Sequence, residues 1–361
     1  MLCQCCAPPD VSSWKPSAKP LVSVPDDGPY STPSRSQVWM DAHAHPGRCF
    51  LIGLPEDDPF VQLMGVADVE TAVADLTAGG VDITAFSTVA DLRVLGVTEQ
   101  GICAARDFLP GEAAEDHLRQ LRAIAAVADR EGRRVVRTAS DLRSRNGEDE
   151  LRIVLSCEGA DFLEGRLEGL QQAYESGARS ITLVHYRVNE LGDIQTESPV
   201  HGGLTAFGGE VVREMNRLGM VIDLAHATWD VSRDVLDRSS APVVISHSHL
   251  AAGANSHPRL LSREHAQAIT RCGGVIAAWP AGVALASFDD YVDEILRMID
   301  VLGMDSVAIG TDMDANYRPV VKNYREFPGI AAGLARRGLK ENEVGRILGG
   351  NLLRVYEQVL V

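Results

Sequence analysis

Lysine is nearly absent from this 361-residue sequence. Only Lys15, Lys19, Lys322 and Lys340 occur, and arginine supplies the rest of the 34 basic residues. No apolar stretch approaches the ~18 residues that would suggest a membrane span. The N-terminus lacks a basic region followed by an apolar core, so neither a transmembrane helix nor a secretory signal is expected. The expected location is cytoplasmic, with no membrane partner. A net charge of −16 and a pI near 5.0 disfavour nucleic acid and anionic lipid as partners. No Gly-x-Gly-x-x-Gly turn follows the first strand candidate, which weakens a dinucleotide-binding reading. The seven cysteines are odd in number and irregularly spaced, as expected of reduced, mostly buried thiols. Cys3, Cys5 and Cys6 stand close together, but no second Cys or His cluster completes a metal clip with them.

What the chain does contain is alternation. Residues 1–36 are rich in proline and serine and read as an irregular leader. From residue 37 onward, short apolar β-branched runs alternate with longer stretches of helical spacing. Strands are expected at 37–43, 81–88, 152–158, 179–185, 220–226, 242–247, 273–279 and 306–312. Helices are expected around 68–78, 113–132, 163–177, 206–218, 230–238, 262–271 and 288–302, with a terminal pair at 324–337 and 341–360. Thr205 can cap the helix 206–218 and Gly219 can end it. Runs such as Val243-Val244-Ile245 are continuously apolar, which suits strands buried on both faces. Eight β/α units in one domain, 37–361, predict an α/β fold of the (β/α)8 TIM-barrel kind.

In such barrels the working residues gather at the C-terminal ends of the strands. The first strand candidate ends in His43-Ala44-His45, two imidazoles spaced to face the same side of an extended strand. The third ends in Glu158, the fourth in His185, the fifth in His226, the sixth in His247 and the eighth in Asp312. Each alone has a simpler explanation: a hydrogen-bonded structural histidine, a solvated glutamate, a helix-capping aspartate. Five of ten histidines falling at equivalent strand ends is the coincidence that carries the argument. His117, His201, His257 and His265 are read as surface or loop residues, and His249 as a loop neighbour of the site. Imidazoles and carboxylates without thiolates suit zinc or a similar first-row metal. Some barrel hydrolases bridge two metals with a carboxylated lysine, but no lysine here lies between residues 20 and 321. Glu158 is then the bridging candidate, which leaves Asp312 as proton shuttle.

The sequence resembles the membrane (renal) dipeptidase family, the zinc dipeptidases of metallopeptidase family M19. Matching segments are Asp41-Ala42-His43-Ala44-His45-Pro46, Ser156-Cys157-Glu158-Gly159, Leu183-Val184-His185 and Gly203-Leu204-Thr205-Ala206-Phe207-Gly208. Further matches are Ile222-Asp223-Leu224-Ala225-His226, Val244-Ile245-Ser246-His247-Ser248 and Ile309-Gly310-Thr311-Asp312-Met313-Asp314. The resemblance implies a metallo-dipeptidase with two zinc ions, acting through a hydroxide that bridges them. His43 and His45 would bind the first ion, Glu158 would bridge, and His226 and His247 would bind the second. His185 would polarise the scissile carbonyl, Arg259 would grip the substrate's terminal carboxylate, and Asp312 would act as acid and base. The expected partner is a small dipeptide, and a homodimer is compatible with the sequence. Position 45 departs from the family pattern, which is His-x-Asp where this chain has His-x-His. Two other readings stand beside this one. One is a one-metal deaminase-like hydrolase, although Ala227-Thr228-Trp229-Asp230 lacks the glutamate such sites carry. The other is a catalytically impaired dipeptidase homologue.

Overall fold

The computed structural model describes residues 37–98, 101–143, 151–253 and 256–361. The expected leader at 1–36, with Cys3, Cys5 and Cys6, lies outside the described residues. Eight parallel strands close into a ring: β1 (Met40–Asp41), β2 (Ile83–Val89), β3 (Arg152–Glu158), β4 (Ala178–Thr182), β5 (Val221–Asp223), β6 (Val244–Ser248), β7 (Val275–Ala278) and β8 (Val307–Ile309). Each pairs with the next, and β8 returns to β1 with Ile309 opposite Asp41. This is the expected (β/α)8 barrel. Every residue of these strands is buried, because helices cover the outside and side chains fill the inside. Gly310, just beyond β8, shows how tight the inside is: a Cβ there would lie 1.7 Å from the Ser246 carbonyl oxygen.

The helices follow the expected order. That at Ala206–Leu218 starts where the Thr205 hydroxyl accepts from the Gly208 N–H, and ends at Gly219 with φ 71°. The helix expected at 163–177 begins only at Glu168, after a short 3-10 turn at Asp161–Leu163. The terminal stretch is broken by a π turn at Arg346–Gly350 before the last helix, Asn351–Val359. Leu352, Val355, Tyr356 and Val359 of that helix join the apolar cluster that includes Met40, Val154, Val221, Val244 and Val275 from the barrel strands. It thus seals the end of the barrel away from the strands' C-termini. Short helices at Pro59–Met64 and Ala139–Arg143 had no counterpart in the sequence reading, and neither did two β features. One is an antiparallel hairpin, Leu95–Thr98 with Gly101–Ala104. The other is a two-residue strand, Arg134–Val135, that pairs with the start of β3. No helix among the described residues is long and apolar enough to cross a membrane.

The reading of His117 and His265 as surface or loop residues is overturned. Both are 3% exposed on the inner faces of their helices. His117 stacks on Phe162 at 3.7 Å between centroids. A ring that packs like an apolar side chain has to stay neutral, and burial lowers the His117 pKa from 6.5 to about 3. The unfolded chain takes up this proton below pH 6.5 while the folded chain does not. Stability from this group is therefore complete above pH 6.5 and is lost as pH falls toward 3. At pH 5 the loss is about 2 kcal/mol. Chemical denaturation of His117→Gln should show a correspondingly shallower decline in stability between pH 7 and 5. An unchanged slope would count against this account.

Candidate metal centre

The site begins with two buried aspartates that end the regular strand pairing early. Asp41 Oδ1 accepts from the backbone N–H of His43 (3.3 Å) and of Thr311 (2.9 Å), and Oδ2 accepts from the Thr311 hydroxyl (2.5 Å). Asp223 does the same across three strands. It accepts from the Ala225 and Ser246 N–H groups and from the Thr182 and Ser246 hydroxyls. Side-chain acceptors here replace ladder partners. The strands expected at 37–43, 220–226 and 306–312 therefore shorten to two or three residues. His43, His45, His226 and Asp312 stand in extensions beyond them rather than on regular strand. The extensions still pair, with the Asp312 N–H donating to the His43 carbonyl (2.8 Å) and the His45 N–H to that of Met313 (3.0 Å). His226 (φ 66°) and Asp312 (φ 51°) adopt left-handed backbone, which favours glycine. Each costs of order 1 kcal/mol or more, and such residues cluster at functional sites.

Four histidines and one glutamate converge. Glu158 Oε1 lies 3.3 Å from His43 Nε2, 3.2 Å from His226 Nε2 and 3.5 Å from His247 Nε2. Its Oε2 lies 3.2 Å from His45 Nε2 and 3.3 Å from His185 Nε2. The side chains form two groups able to hold a metal ion: His43, His45 and Glu158, and Glu158, His226 and His247. All five are at most 3% exposed. Three rings are tethered through Nδ1, which aims Nε2 inward: His43 to the Ser87 hydroxyl, His45 to the Ser87 carbonyl, and His247 to the Ser246 hydroxyl. Tethers of this kind orient metal-binding imidazoles. Burial holds His226 and His247 well below the usual histidine range, aided by the positive charge of Arg259 and His185 on His226 and of His43 and Arg259 on His247. Burial alone would raise the Glu158 pKa, but His185 and His43 outweigh it and keep the carboxyl ionised. Imidazoles around one carboxylate are the donor set a zinc-like ion takes, the metal displacing any ring proton as it binds.

Three further expected residues ring this cluster. Asp312 Oδ1 lies 3.6 Å from His45 Nε2, and the Trp279 indole N–H donates to its Oδ2 at 3.2 Å. Arg259 is 2% exposed, with Nη1 at 2.8 and 2.9 Å from the ring nitrogens of His226. His185 donates from Nδ1 to Asp91 Oδ1 at 2.7 Å, while Asp91 Oδ2 accepts the Tyr186 N–H at 2.9 Å. Sequence reasoning passed over Asp91. It is a fully buried carboxylate two residues past β2, the same kind of position that singled out Asp312. A search for carboxylates after every strand would have found it. His249 is also buried behind β6 and lies in neither metal-binding group. His201 and His257 likewise stand outside both groups, and His201 is exposed.

A closed parallel β/α barrel with two adjoining His-His-Glu groups at its strand ends defines a metal-binding barrel protein. The chain belongs to the membrane dipeptidase family, peptidase family M19, whose profile matches residues 46–360. It is 30% identical over 243 residues to dipeptidase verJ of Clonostachys rogersoniana, covering 65% of this chain and 62% of that protein. It is 32% identical over 228 residues to dipeptidase 3 of Rattus norvegicus, covering 59% and 46%. The chain thus spans between about half and three-fifths of the length of these curated relatives. Among solved structures, a metallo peptidase from Rhodobacter sphaeroides, liganded with a phosphinate mimic of L-Ala-D-Ala, superimposes with a TM-score of 0.72. That match is 21% identical and covers 90% of this chain and 99% of the other.

Proposed function

We propose that this chain is a metal-dependent dipeptidase holding two zinc ions, one among His43, His45 and Glu158 and the other among Glu158, His226 and His247. The observation that supports this most directly is Glu158 itself, a single buried carboxylate within 3.5 Å of ring nitrogens from both groups. Two ions bound there would supply an acidified water, its pKa brought from about 15.7 toward ~7, and a Lewis acid for the peptide carbonyl. The other roles fall to the chain's own side chains. Asp312 takes the proton of the attacking water and delivers it to the leaving amine. Burial and the Glu158 charge both push its pKa up, the direction a proton carrier near neutrality needs. His185 stabilises the developing oxyanion through Nε2. Burial lowers its pKa, but Asp91 and Glu158 outweigh that and raise it, the direction that favours a proton on Nε2. Arg259 receives the substrate's terminal carboxylate. Assay of L,L- and L,D-dipeptides, with and without zinc, tests the reading. Hydrolysis should vanish on chelation and return with zinc, and activity that persists in metal-free protein would overturn it.

His45 distinguishes this chain from the family pattern. An imidazole in place of a carboxylate leaves the first ion with Glu158 as its one anionic ligand. His45→Asp should therefore tighten the first ion by on the order of tenfold, or ~1.4 kcal/mol. Elemental analysis after graded dialysis measures this. Equal stoichiometry, affinity and turnover in both proteins would show that position 45 does not control the first ion.

A further inference from the structure

Arg259 is buried with no carboxylate in direct contact, although Glu158 and Asp312 favour its charge from further away. No carboxylate among the described residues lies within 4.0 Å of its guanidinium. Its Nη2 is buried without a hydrogen-bond partner. Besides the approach of Nη1 to His226, two contacts hold it: the guanidinium carbon sits 5.2 Å from the centre of the Trp279 ring, and Nε donates to Gln195 Oε1 at 3.2 Å. Gln195 is itself well placed to aim the arginine. Its backbone N–H donates to the His226 carbonyl at 2.8 Å, and Ile194 bridges to Ala227 beside it. The stretch 193–195 is thereby tied to the chain segment that carries a proposed metal ligand.

We propose that Gln195 is a positioning residue for Arg259 and sets the pocket's selectivity for substrates with a free terminal carboxylate. This rests on the reading of Arg259 as the carboxylate receptor. The chemistry lies in what Gln195 is not. A glutamate there would make the same hydrogen bond to Nε and would cancel the guanidinium charge. A neutral amide oxygen orients the fork and leaves that charge for the substrate to neutralise. A buried cation without a partner is costly, so an anionic ligand that pairs with it binds with a large advantage over a neutral one. The pocket then favours a dipeptide acid over the same dipeptide amide. The Gln195 side chain bonds Arg259 and no ligand atom of the metal-binding groups, so its influence falls on binding rather than on the chemical step.

The test compares L-Ala-L-Ala with L-Ala-L-Ala amide in zinc-loaded wild type, Gln195→Glu, Gln195→Ala and Arg259→Met. Gln195→Glu should raise KM for the acid at least tenfold, with kcat within threefold and zinc content unchanged. It should also collapse the acid-to-amide ratio of kcat/KM toward that of Arg259→Met. Gln195→Ala, which frees the guanidinium without neutralising it, should fall between Gln195→Glu and wild type. A Gln195→Glu protein that keeps the wild-type ratio while Arg259→Met loses it overturns the role of Gln195. An unchanged ratio in Arg259→Met overturns the reading of Arg259 instead. Calorimetric titration of both ligands into zinc-free protein, where no turnover occurs, gives an independent answer. The acid should bind Gln195→Glu at least tenfold more weakly than wild type, and equal binding would refute the proposal.

Discussion

Asp312→Asn should lower kcat by ~10²–10⁴-fold while both metal-binding groups keep their ions. The asparagine amide preserves size and can still accept the Trp279 N–H that now reaches Oδ2. What it loses is the ability to take up a proton at Oδ1, the oxygen facing His45. The left-handed backbone at this position is one that asparagine tolerates almost as well as aspartate, so the substitution adds little backbone strain. The decisive comparison is kcat against zinc content. Loss of turnover with full metal content supports a proton-carrying role. Loss of both together would make Asp312 a metal ligand, and near-normal turnover would remove it from the mechanism.

Glu158→Gln should have the larger effect on metal binding. Glu158 is the one carboxylate shared by both groups, and its oxygens lie within 3.5 Å of five ring nitrogens. Removing its charge leaves four imidazoles with no anion between them to offset two divalent ions. Changes to groups that merely orient ligands cost 10–100-fold in affinity, and loss of a shared ligand should exceed ~100-fold for both ions. Elemental analysis after dialysis should find less than one ion per chain. A variant that keeps one ion at wild-type affinity would show that Glu158 serves only one group.

Much of the architecture was legible in order along the chain. All eight barrel strands fall within the expected stretches or within a residue of them, because a strand buried on both faces announces itself as a continuous apolar run. Helices with clear caps, such as that begun by Thr205 and ended by Gly219, were equally readable. The hairpin at 95–104 was not, because a four-residue strand that pairs only with its neighbour carries too little periodicity. His117 and His265 were misread for a related reason. A histidine on a polar-looking helix gives no local sign that it faces an aromatic ring from another element.

At the site, chain order alone named the residues but not how they touch. The sequence by itself determined that His43, His45, Glu158, His185, His226, His247 and Asp312 lie at or just past the ends of six of the eight strands, since apolar periodicity and its interruption are local properties. Only the tertiary structure decided that Glu158 stands between the two histidine pairs, because that depends on ring closure through β8 and β1 and on the register of every pair between. Only it, too, revealed Asp91 beneath His185 and Gln195 against Arg259. Each of these contacts joins residues more than sixty positions apart, and a hydrogen bond between distant loops leaves no trace in the residues on either side of it.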